Sequence, residues 1–567
     1  MPNIFDYNPQ NIHPFPYWKW NKVLPAVYDD SLSQYEILCK LLSIVNSIIE
    51  STNSTGEQVE QLTQLIQQLI DGEFPSGIVQ YVTDIANAAI DDDIETINNT
   101  ISEIQSQIDI IKESDYPISY FGAVGDGVTD DTVALNTALN GNKTVSLKSN
   151  GIYRATDIIT VGNNTVVDGN GATIRFTNDV SGNKFITGET LSNCIFRDIV
   201  FDFGTNAIAK YGVSFISSNN IIFDNCTFKN VYGGALRLNN STHIKINNCN
   251  FINISGESGM PGECIYASDI SYLYVNECYA ENIYDHFVYI AGTTEADNIS
   301  ITNCFCLNTG INTTTNGAAV VFYANTHDCV IDNLVCKNSR MVVFVGNYST
   351  YTTLPKNISI NNIIGQNITL DGIGIVGLST ANVYNISVNN VILNTVGQDG
   401  IHSDYVERAT FNNITVNGAT RNGFNINGNI NCVYSNIYAN GFNCFIIQRT
   451  TSSAHSTYCI FDNIVCSSSG ASQNGFYHRN GDFNRVSNIT IVGTFTTYPY
   501  FINGLNIQVN DASENYNSLT FDDGTDHTYH KVGDLVVFPN AASGQPLISL
   551  CTVAGVPGTL QTIVSRP

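Results

Sequence analysis

The feature that most constrains the fold is a repeat that runs from about residue 191 to about residue 491. Short apolar strands each end in a polar residue, and these polar residues recur at intervals of 23 to 30 residues. A period in the twenties, with two-residue alternation inside each unit and no helical pattern between units, predicts a solenoid of strands. We interpret it as a right-handed parallel β-helix. The polar residues are Asp198, Asn225, Asn248, Glu277, Asn303, Asn333, Asn362, Asn390, Asn413, Asn436, Asn463 and Asn488.

Coils of such a solenoid stack at about 4.8 Å, so equivalent side chains form columns. Most of the polar residues are Asn, and an Asn column can satisfy its own amides along the stack. Leucine-rich repeats share the period but need a leucine framework, which is absent. The position after each polar residue is expected to form an inward core column, and it reads Cys226, Cys249, Cys278, Cys304, Leu334, Ile363, Val391 and Ile414.

The amino-acid composition limits the kinds of molecule that the chain is expected to bind. The chain has 567 residues, 43% of them hydrophobic, so it can bury a large core, and several domains are expected. Only 13% of the residues are charged and the net charge is −26, which argues against nucleic acid and anionic membranes as partners. We expect no membrane insertion and see no signal peptide. The 15 cysteines are interpreted as reduced thiols in a protein assembled in the cytoplasm, with stacked disulfides as the alternative.

Two segments precede the repeat. Residues 1–31 are rich in proline and aromatic residues, so they are either disordered or dock on a larger partner, and we favour docking. Residues 32–114 are predicted to form a helical coiled-coil stalk. Its last seam is isoleucine at every position, which disfavours dimers and predicts a homotrimer; an ordinary amphipathic helix in a bundle is the alternative. The seam consists of Ile94, Ile97, Ile101, Ile104, Ile108 and Ile111.

A recognisable signature lies in residues 115–180, which we expect to cap the solenoid. It reads Tyr-Phe-Gly-Ala-Val-Gly-Asp-Gly-Val-Thr-Asp-Asp-Thr from Tyr120, and Val-Val-Asp-Gly-Asn-Gly-Ala-Thr-Ile follows from Val166. This pattern resembles the opening of the pectate-lyase-like β-helix superfamily, as found in bacteriophage tailspikes. The resemblance covers about residues 118 to 495. One departure is Lys-Ser-Asn-Gly from Lys148, where the family usually has a proline-glycine turn.

The aspartates of this signature have a structural interpretation. Thr129 is predicted to cap a short helix, with Asp130 and Asp131 in its first turn, where the helix dipole favours carboxylates. The helix would close the open end of the solenoid, as terminal repeats must. A catalytic aspartate pair is the alternative, and we favour capping.

The repeat proper is assigned to residues 181–493, and residues 494–567 break its period. Two apolar stretches, from Lys531 and from Leu547, predict a small β module with tight turns. The module resembles the short C-terminal unit at the ends of phage fibre and spike proteins. Leu560 stands where that pattern usually has Trp, which weakens the idea of a sugar-stacking aromatic there.

The resemblance implies chemistry on polysaccharides, through paired carboxylates or through calcium with a basic residue. Equivalent positions on adjacent coils lie about 5 Å apart, and those two coils apart lie about 10 Å apart. These separations bracket the carboxyl pairs of retaining and inverting glycosidases. Catalysis by a carboxyl pair on the outer face of the coils is therefore geometrically available.

The densest group of titratable residues falls in the coils from Asp371 to Asn427. If Ile401 and Ser403 face inward, His402 and Asp404 face outward on the same strand. The competing interpretation is that Asp-Gly and Asn-Gly pairs are turn residues and that polar outer positions need no function. Neither a metal site nor a cofactor is expected. The candidate catalytic residues are Asp399, Asp404, Asp371 and His402; the candidate substrate-binding residues are Arg421, Asn425, Asn427 and Glu263.

Two functions compete. The first is a bacteriophage tailspike in the virion tail that binds and depolymerises a host surface polysaccharide, with hydrolysis favoured over lyase chemistry. The second is a non-catalytic receptor-binding fibre that uses the β-helix as a glycan platform. Other tail or baseplate proteins would bind the N-terminus. A free secreted lyase is disfavoured because a heptad stalk is present and no signal is visible.

Overall fold

The computed structural model describes residues 116–503, except 142, 178–183, 205–210, 257–261, 312–316, 348–352, 448–455, 468–471 and 480–482, together with residues 508–510, 535–537, 546–553 and 559–565. The predicted docking segment (1–31) and coiled-coil stalk (32–114) lie outside the described residues. The homotrimer therefore stays a prediction. Among the described residues, no helix has both the length and the apolar character needed to cross a membrane.

Within the described residues nearly all regular structure is strand, with one short helix, α1, at Thr132–Ala138 and a 3-10 turn at Ile118–Phe121. The strands are β1 (Tyr116–Pro117), β2 (Asp126–Asp130), β3 (Lys143–Ser146), β4 (Ile152–Ala155), β5 (Ile159–Thr160), β6 (Thr165–Asp168), β7 (Thr173–Phe176), β8 (Lys184–Glu189), β9 (Ser192–Arg197), β10 (Val200–Asp202), β11 (Tyr211–Ile216), β12 (Asn219–Asp224), β13 (Thr227–Lys229), β14 (Leu236–Asn239), β15 (Thr242–Asn247), β16 (Asn250–Ile254), β17 (Ile265–Ser268), β18 (Ser271–Asn276), β19 (Tyr279–Ile283), β20 (Val288–Thr309), β21 (Ala318–Lys337), β22 (Met341–Gly346), β23 (Lys356–Ile368), β24 (Ile373–Val376), β25 (Val383–Val396), β26 (Asp399–Asp404), β27 (Val406–Glu407), β28 (Thr410–Asn427), β29 (Val433–Ile447), β30 (Ile460–Ser467), β31 (Asn474–Arg479), β32 (Arg485–Val492), β33 (Tyr498–Asn503), β34 (Gln508–Asn510), β35 (Leu535–Val537), β36 (Pro546–Val553) and β37 (Thr559–Ser565).

Strands β1 to β34 form a parallel β-solenoid of the right-handed type with about 12 turns, as predicted. Each strand pairs in parallel with the equivalent strand one coil away, so that three parallel sheets run along the solenoid. Sheet I contains β9, β12, β15 and β18, sheet II contains β10, β13, β16 and β19, and sheet III contains β8, β11, β14 and β17. Later in the chain, sheet III continues through the starts of β20 and β21, then β22, β24, β26, the ends of β28 and β29, and β31 and β33.

The repeated polar residue marks a corner with left-handed backbone. All twelve positions, from Asp198 to Asn488, have φ between 49° and 55°. Asn and Asp tolerate this conformation better than other residues with a side chain, which explains why Asn dominates the column. Some amides bond along the column as expected, for example Asn413 Nδ2 to Asn390 Oδ1 at 2.7 Å. Other amides bond instead to the residue that precedes the corner residue of the neighbouring coil, as Asn436 Nδ2 does to Asn412 Oδ1 at 2.8 Å.

This corner conformation gives a direct test of the fold. Replacing Asn413 by alanine is expected to lower the free energy of unfolding by about 1–2 kcal/mol, because a Cβ without a compensating polar side chain disfavours positive φ. Asn413→Gly loses the same amide bond but avoids the steric conflict, so it should cost less. Thermal unfolding of the two variants makes the comparison, and equal losses would contradict this explanation.

The inward column after the corner is buried as predicted, with every member at most 2% exposed. The thirteen described cysteines are all buried and unpaired. Aromatic rings also stack from coil to coil inside the core. Ring centroids are 5.1 Å apart for Phe201 and Phe228 and 5.2 Å apart for Phe228 and Phe251, close to the coil rise.

Two expectations about the ends of the solenoid need correction. Thr129 lies in β2 and does not cap a helix, because α1 begins only at Thr132. Asp131 instead accepts hydrogen bonds from the backbone N–H groups of Val124 and Gly125, at 2.7 and 3.2 Å, and so closes a turn. The expected boundary at residue 493 is also too early, since β33 and β34 continue the parallel pairing to Asn510.

The expected C-terminal module contains three antiparallel strands. Strand β36 pairs with β35 on one side and with β37 on the other. The change from parallel to antiparallel pairing separates this sheet from the solenoid, as the broken period of the sequence indicates.

Candidate functional site

The candidate residues come together on the outer side of sheet III. Strand β26 pairs with β24 and β28, and this register places His402 beside Asn425 and Asp404 beside Asn427. Ile401 and Ser403 are fully buried, so the alternation of the strand directs His402 and Asp404 outward, as the sequence indicates.

Asp399 is the buried anchor of the cluster. Its side chain is 0% exposed, and the half-exposed Arg421 binds it in bidentate fashion, with Nε 2.7 Å from Oδ1 and Nη2 2.5 Å from Oδ2. Asn422 Nδ2 donates to Oδ1 at 2.7 Å and Asn425 Nδ2 donates to Oδ2 at 2.9 Å. The hydrogen bond and the charge of Asp399 raise the pKa of Arg421 against its partial burial. Both carboxylate oxygens of Asp399 are therefore already engaged.

His402 lies between two other carboxylates. Its Nδ1 is 3.2 Å from Asp371 Oδ2, and its Nε2 is 3.1 Å from Asp404 Oδ2. Burial favours the neutral ring, but hydrogen bonds and charge from Asp371 and Asp404 outweigh it and raise the pKa of His402 to about 10. Both ring nitrogens then donate, and the imidazolium offsets one of the negative charges. We name Asp371, Asp399, His402, Asp404 and Arg421 the carboxylate–arginine cluster.

The raised pKa predicts a pH dependence of stability. The pKa of His402 is about 10 in the folded protein and near 6.5 in the unfolded chain. Protonation of His402 therefore stabilises the fold fully below pH 6.5, and this stabilisation is lost as pH rises toward 10. The charged groups that face the ring are Asp371, Asp404 and, beside Asp371, Arg421. Thermal unfolding should therefore show a larger loss between pH 6.5 and 10 in wild type than in His402→Gln. Parallel curves for the two proteins would contradict this assignment.

Part of the carboxylate–arginine cluster is buried, although it lies on the outer side of the sheet. Asp399 is fully buried, Asp371 is 7% exposed and Asn427 is 1% exposed. Asp371 is held in place because its Oδ1 accepts the backbone N–H of Asp399 at 3.0 Å and lies 3.5 Å from Arg421 Nη2. Removal of Asp399 would therefore affect folding, whereas His402, Asp404, Arg421 and Asn425 are at least partly exposed.

The carboxylate–arginine cluster also has the ligand types of a cation site. Donor atoms of Asp371, Asp399 and His402 lie within 4.8 Å of one another. However, Arg421 already supplies positive charge between the two aspartates, and a metal ion would require His402 to lose its proton. The residues present therefore fit an internal ion network better than a metal centre.

An asparagine ladder that sequence reasoning missed continues this column. Asn443 Nδ2 donates to Asn422 Oδ1 at 2.9 Å, and Asn474 Nδ2 donates to Asn443 Oδ1 at 2.7 Å. With Asn422 bound to Asp399, the ladder holds the cluster rigidly against the sheet. Its signal in the sequence was the Asn-Gly pair at Asn422 and at Asn474, whereas the middle member, Asn443, is followed by Cys444.

Glu263 lies at the same edge of sheet III but not in this cluster. The register of Ile265 with Val288 places Glu263 beside His286 of the next coil and Gly262 beside Asp285. His286, Ala318, Met341 and Asp371 occupy equivalent positions on four successive coils. Three coil rises, about 14 Å, therefore separate His286 from Asp371. The intervening coils carry a buried apolar patch on the outer side of the sheet, formed by Ala318, Val321, Met341 and Phe344.

Comparison with known proteins gives one relative in sequence and several in structure. No protein-family model matches the chain. The pre-neck appendage protein of Bacillus phage B103 is 25% identical over 309 residues, which cover 51% of this chain. The chain spans about a third of the length of that relative, since the match covers 32% of it.

Solved structures with related architecture include phage tailspikes. A double mutant of the tailspike of E. coli bacteriophage HK620, in complex with a pentasaccharide, has a TM-score of 0.49 and 14% identity, covering 80% of this chain and 93% of that one. Tailspike protein 3 of bacteriophage CBA120 has a TM-score of 0.41 and 11% identity, covering 82% and 70%. In sequence the chain is thus a homologue of a bacteriophage appendage protein, and in fold it is a parallel β-solenoid.

Proposed function

We propose that the chain is a bacteriophage tail-associated protein that binds a host surface polysaccharide on the outer side of sheet III. The observation that carries this proposal is the outward group of His402, Asp404 and Arg421 on a rigid sheet. The side chains of His402 and Asp404 are 23% and 20% exposed and that of Arg421 is 47% exposed, and the buried Oδ1 of Asp404 accepts no hydrogen bond from the described residues. Sugar hydroxyl groups both donate and accept, so they complement this arrangement.

Rigidity supports binding because a site that is already ordered loses little entropy when a ligand binds. Asp399 and Asn422 fix Arg421 and the neighbouring strand, while Asp371 fixes the ring of His402. The similarity to a phage appendage protein supports a location in the virion tail. Attachment through residues 1–31 and a homotrimer held by residues 94–111 complete the proposal.

The carboxylate–arginine cluster suits binding better than catalysis. Asp399 has no free carboxylate oxygen, and an imidazolium with a pKa near 10 is a weak acid and cannot serve as a base near neutral pH. Asp404 and Arg421 are therefore assigned to contacts with sugar hydroxyl groups, and Asp371, Asp399 and His402 to their positioning.

Binding to a panel of purified capsular, O-antigen and cell-wall polysaccharides tests this function. Asp404→Asn removes a charged acceptor and is expected to weaken binding about tenfold, the effect of one charge-assisted hydrogen bond of about 1.5 kcal/mol. Arg408→Ala is the matched control, since Arg408 is exposed and pairs with Glu407 away from the cluster. Failure of every polymer to bind, or equal binding by wild type and Asp404→Asn, would overturn the proposal.

A further inference from the structure

The outer side of sheet II carries an apolar stripe that the proposed binding site does not use. Beyond β19, sheet II continues through the ends of β20, β21, β23 and β25, the middle of β28 and β29, and the end of β30. One outward position per coil lines up along eight successive coils, and seven of the eight residues are apolar. The apolar stripe consists of Tyr279, Phe305, Val335, Ile364, Ile392, Thr415, Tyr438 and Val465.

The apolar stripe is accessible in the single chain. Every member is at least partly exposed, and Ile364 and Ile392 are 41% and 44% exposed. The members also pack along the solenoid, since the rings of Tyr279 and Phe305 stack with centroids 5.7 Å apart. A half-buried strand normally places polar residues on its solvent side. A contiguous exposed apolar surface therefore indicates an interaction site.

Sheet I shows that coil stacking alone does not require such a stripe. One outward column of sheet I on the same eight coils holds four apolar residues and four residues with a hydroxyl group. The apolar character is therefore specific to sheet II. The column of sheet I reads Tyr274, Ser300, Val330, Ser359, Ser387, Thr410, Val433 and Ile460.

The face around the apolar stripe is also free of carboxylates. From Phe305 to Ser467, Lys337 is the one charged residue at the described outward positions of sheet II, and its Nζ lies 5.7 Å from the ring centroid of Phe305. Sheet I has Asp332 and Asp462 at outward positions of the same coils. Because the chain has a net charge of −26, two copies repel each other least where they meet through a face without carboxylates.

Neutral asparagines border the apolar stripe on both sides. One border is the corner column of the repeat. The other is a second corner with φ between 51° and 57°, formed by Asn282, Asn308, Asn338 and Asn367. Its amides bond from coil to coil, as Asn308 Nδ2 does to Asn282 Oδ1 at 2.9 Å and Asn367 Nδ2 does to Asn338 Oδ1 at 3.0 Å. An apolar centre with an ordered polar rim is the usual anatomy of a protein–protein interface.

The size of this face suits contact with another protein chain. Seven coil rises give a length of about 34 Å, and about five residues from corner to corner give a width of about 17 Å. The flat footprint is therefore about 600 Å², comparable with the roughly 800 Å² that each partner contributes to a standard interface. A further contact elsewhere in the chain is needed only for the remainder.

We propose that the apolar stripe is the contact face between parallel copies of this chain, which pack stripe against stripe around an axis parallel to the solenoid. A straight stripe with one residue per coil is complemented by a surface with the same rise, and a second copy supplies it. Rotational symmetry places each coil opposite the same coil of the neighbouring copy, so apolar residues meet along the whole stripe. The isoleucine seam at residues 94–111 predicts three parallel chains, which is the arrangement that this face requires.

This packing goes beyond the proposed polysaccharide site and does not depend on it. With sheet II of each copy directed toward the axis, sheet III of each copy remains in solvent. The copies therefore associate without covering the carboxylate–arginine cluster.

Cysteine cross-linking of the full chain tests the contact. Ile364→Cys, treated with a short bismaleimide, is expected to give chains joined in pairs, because Ile364 of one copy would face Ile364 of the next. Val330→Cys is the matched control, since Val330 is 39% exposed on sheet I of the adjacent coil, and it should give no more joined chains than wild type. Wild type treated in parallel accounts for the native thiols, of which the thirteen described ones are buried.

A charge substitution gives a second measurement at the same two positions. Ile364→Glu would set carboxylates of neighbouring copies against each other, so it should lower the unfolding temperature, whereas Val330→Glu should match wild type. A monomeric mass for wild type, no joining at Ile364→Cys beyond the wild-type level, equal joining at both positions, or equal unfolding temperatures of the two glutamate variants would each overturn the proposed contact. Each of these results would leave the polysaccharide site on sheet III standing.

Discussion

Replacing Arg421 by alanine is expected to lower the free energy of unfolding by about 2–3 kcal/mol. The substitution leaves the fully buried Asp399 carboxylate with two amide donors and no cation. Removing one partner of a buried ion pair commonly costs about 3–5 kcal/mol, and the half-exposed guanidinium places this site below that range. Thermal or denaturant unfolding of the variant measures the effect.

Arg408→Ala provides the control for this prediction. Arg408 is exposed, lies 4.0 Å from Glu407 and packs on the ring of Tyr384. Exposed pairs contribute about 0–1 kcal/mol, so this variant should unfold close to wild type. If both arginine variants behaved alike, the carboxylate–arginine cluster would not be the anchor that its geometry indicates.

Phe228→Ala is expected to cost about 3–5 kcal/mol, the usual range for removing a buried phenylalanine. Phe228 is fully buried between the rings of Phe201 and Phe251 on adjacent coils. Because each coil contacts only its neighbours, the damage should concentrate in the coils around β13. Hydrogen exchange should show faster opening in β10, β13 and β16 than in coils near the other end of the solenoid.

Tyr274→Ala is the matched control for the core substitution. Tyr274 lies on the outer side of sheet I and is 40% exposed, so its loss should change stability by less than about 0.5 kcal/mol. Uniformly faster exchange over the whole solenoid in Phe228→Ala would show that the coils unfold as one unit, contrary to this prediction.

The sequence was sufficient to predict the solenoid because stacking repeats the same requirement in every coil. An Asn at a left-handed corner, followed by an inward residue such as Cys249 or Ile363, recurs often enough to be visible without a structure. The outward direction of His402 and Asp404 followed from the same alternation. These features depend on spacing along the chain, which is directly readable.

Contacts between coils were harder to predict. Sequence spacing placed Arg421 near Asp399, but it did not show that the guanidinium would cover the carboxylate completely or that Asn422 and Asn425 would occupy the remaining lone pairs. The helix start was misplaced because the carboxylate of Asp131 binds backbone N–H groups of a preceding turn, a tertiary choice that helix-capping patterns do not encode.

The similarity to a pre-neck appendage protein and the candidate site on sheet III support the proposal that the chain is a phage solenoid that binds a surface polysaccharide. A crystal structure with an oligosaccharide prepared from the polymer selected by the panel tests this claim most directly. The account predicts sugar rings on the outer side of sheet III, with hydroxyl groups within hydrogen-bond distance of Asp404 and Arg421. Sugar bound only on sheet I or sheet II would contradict it.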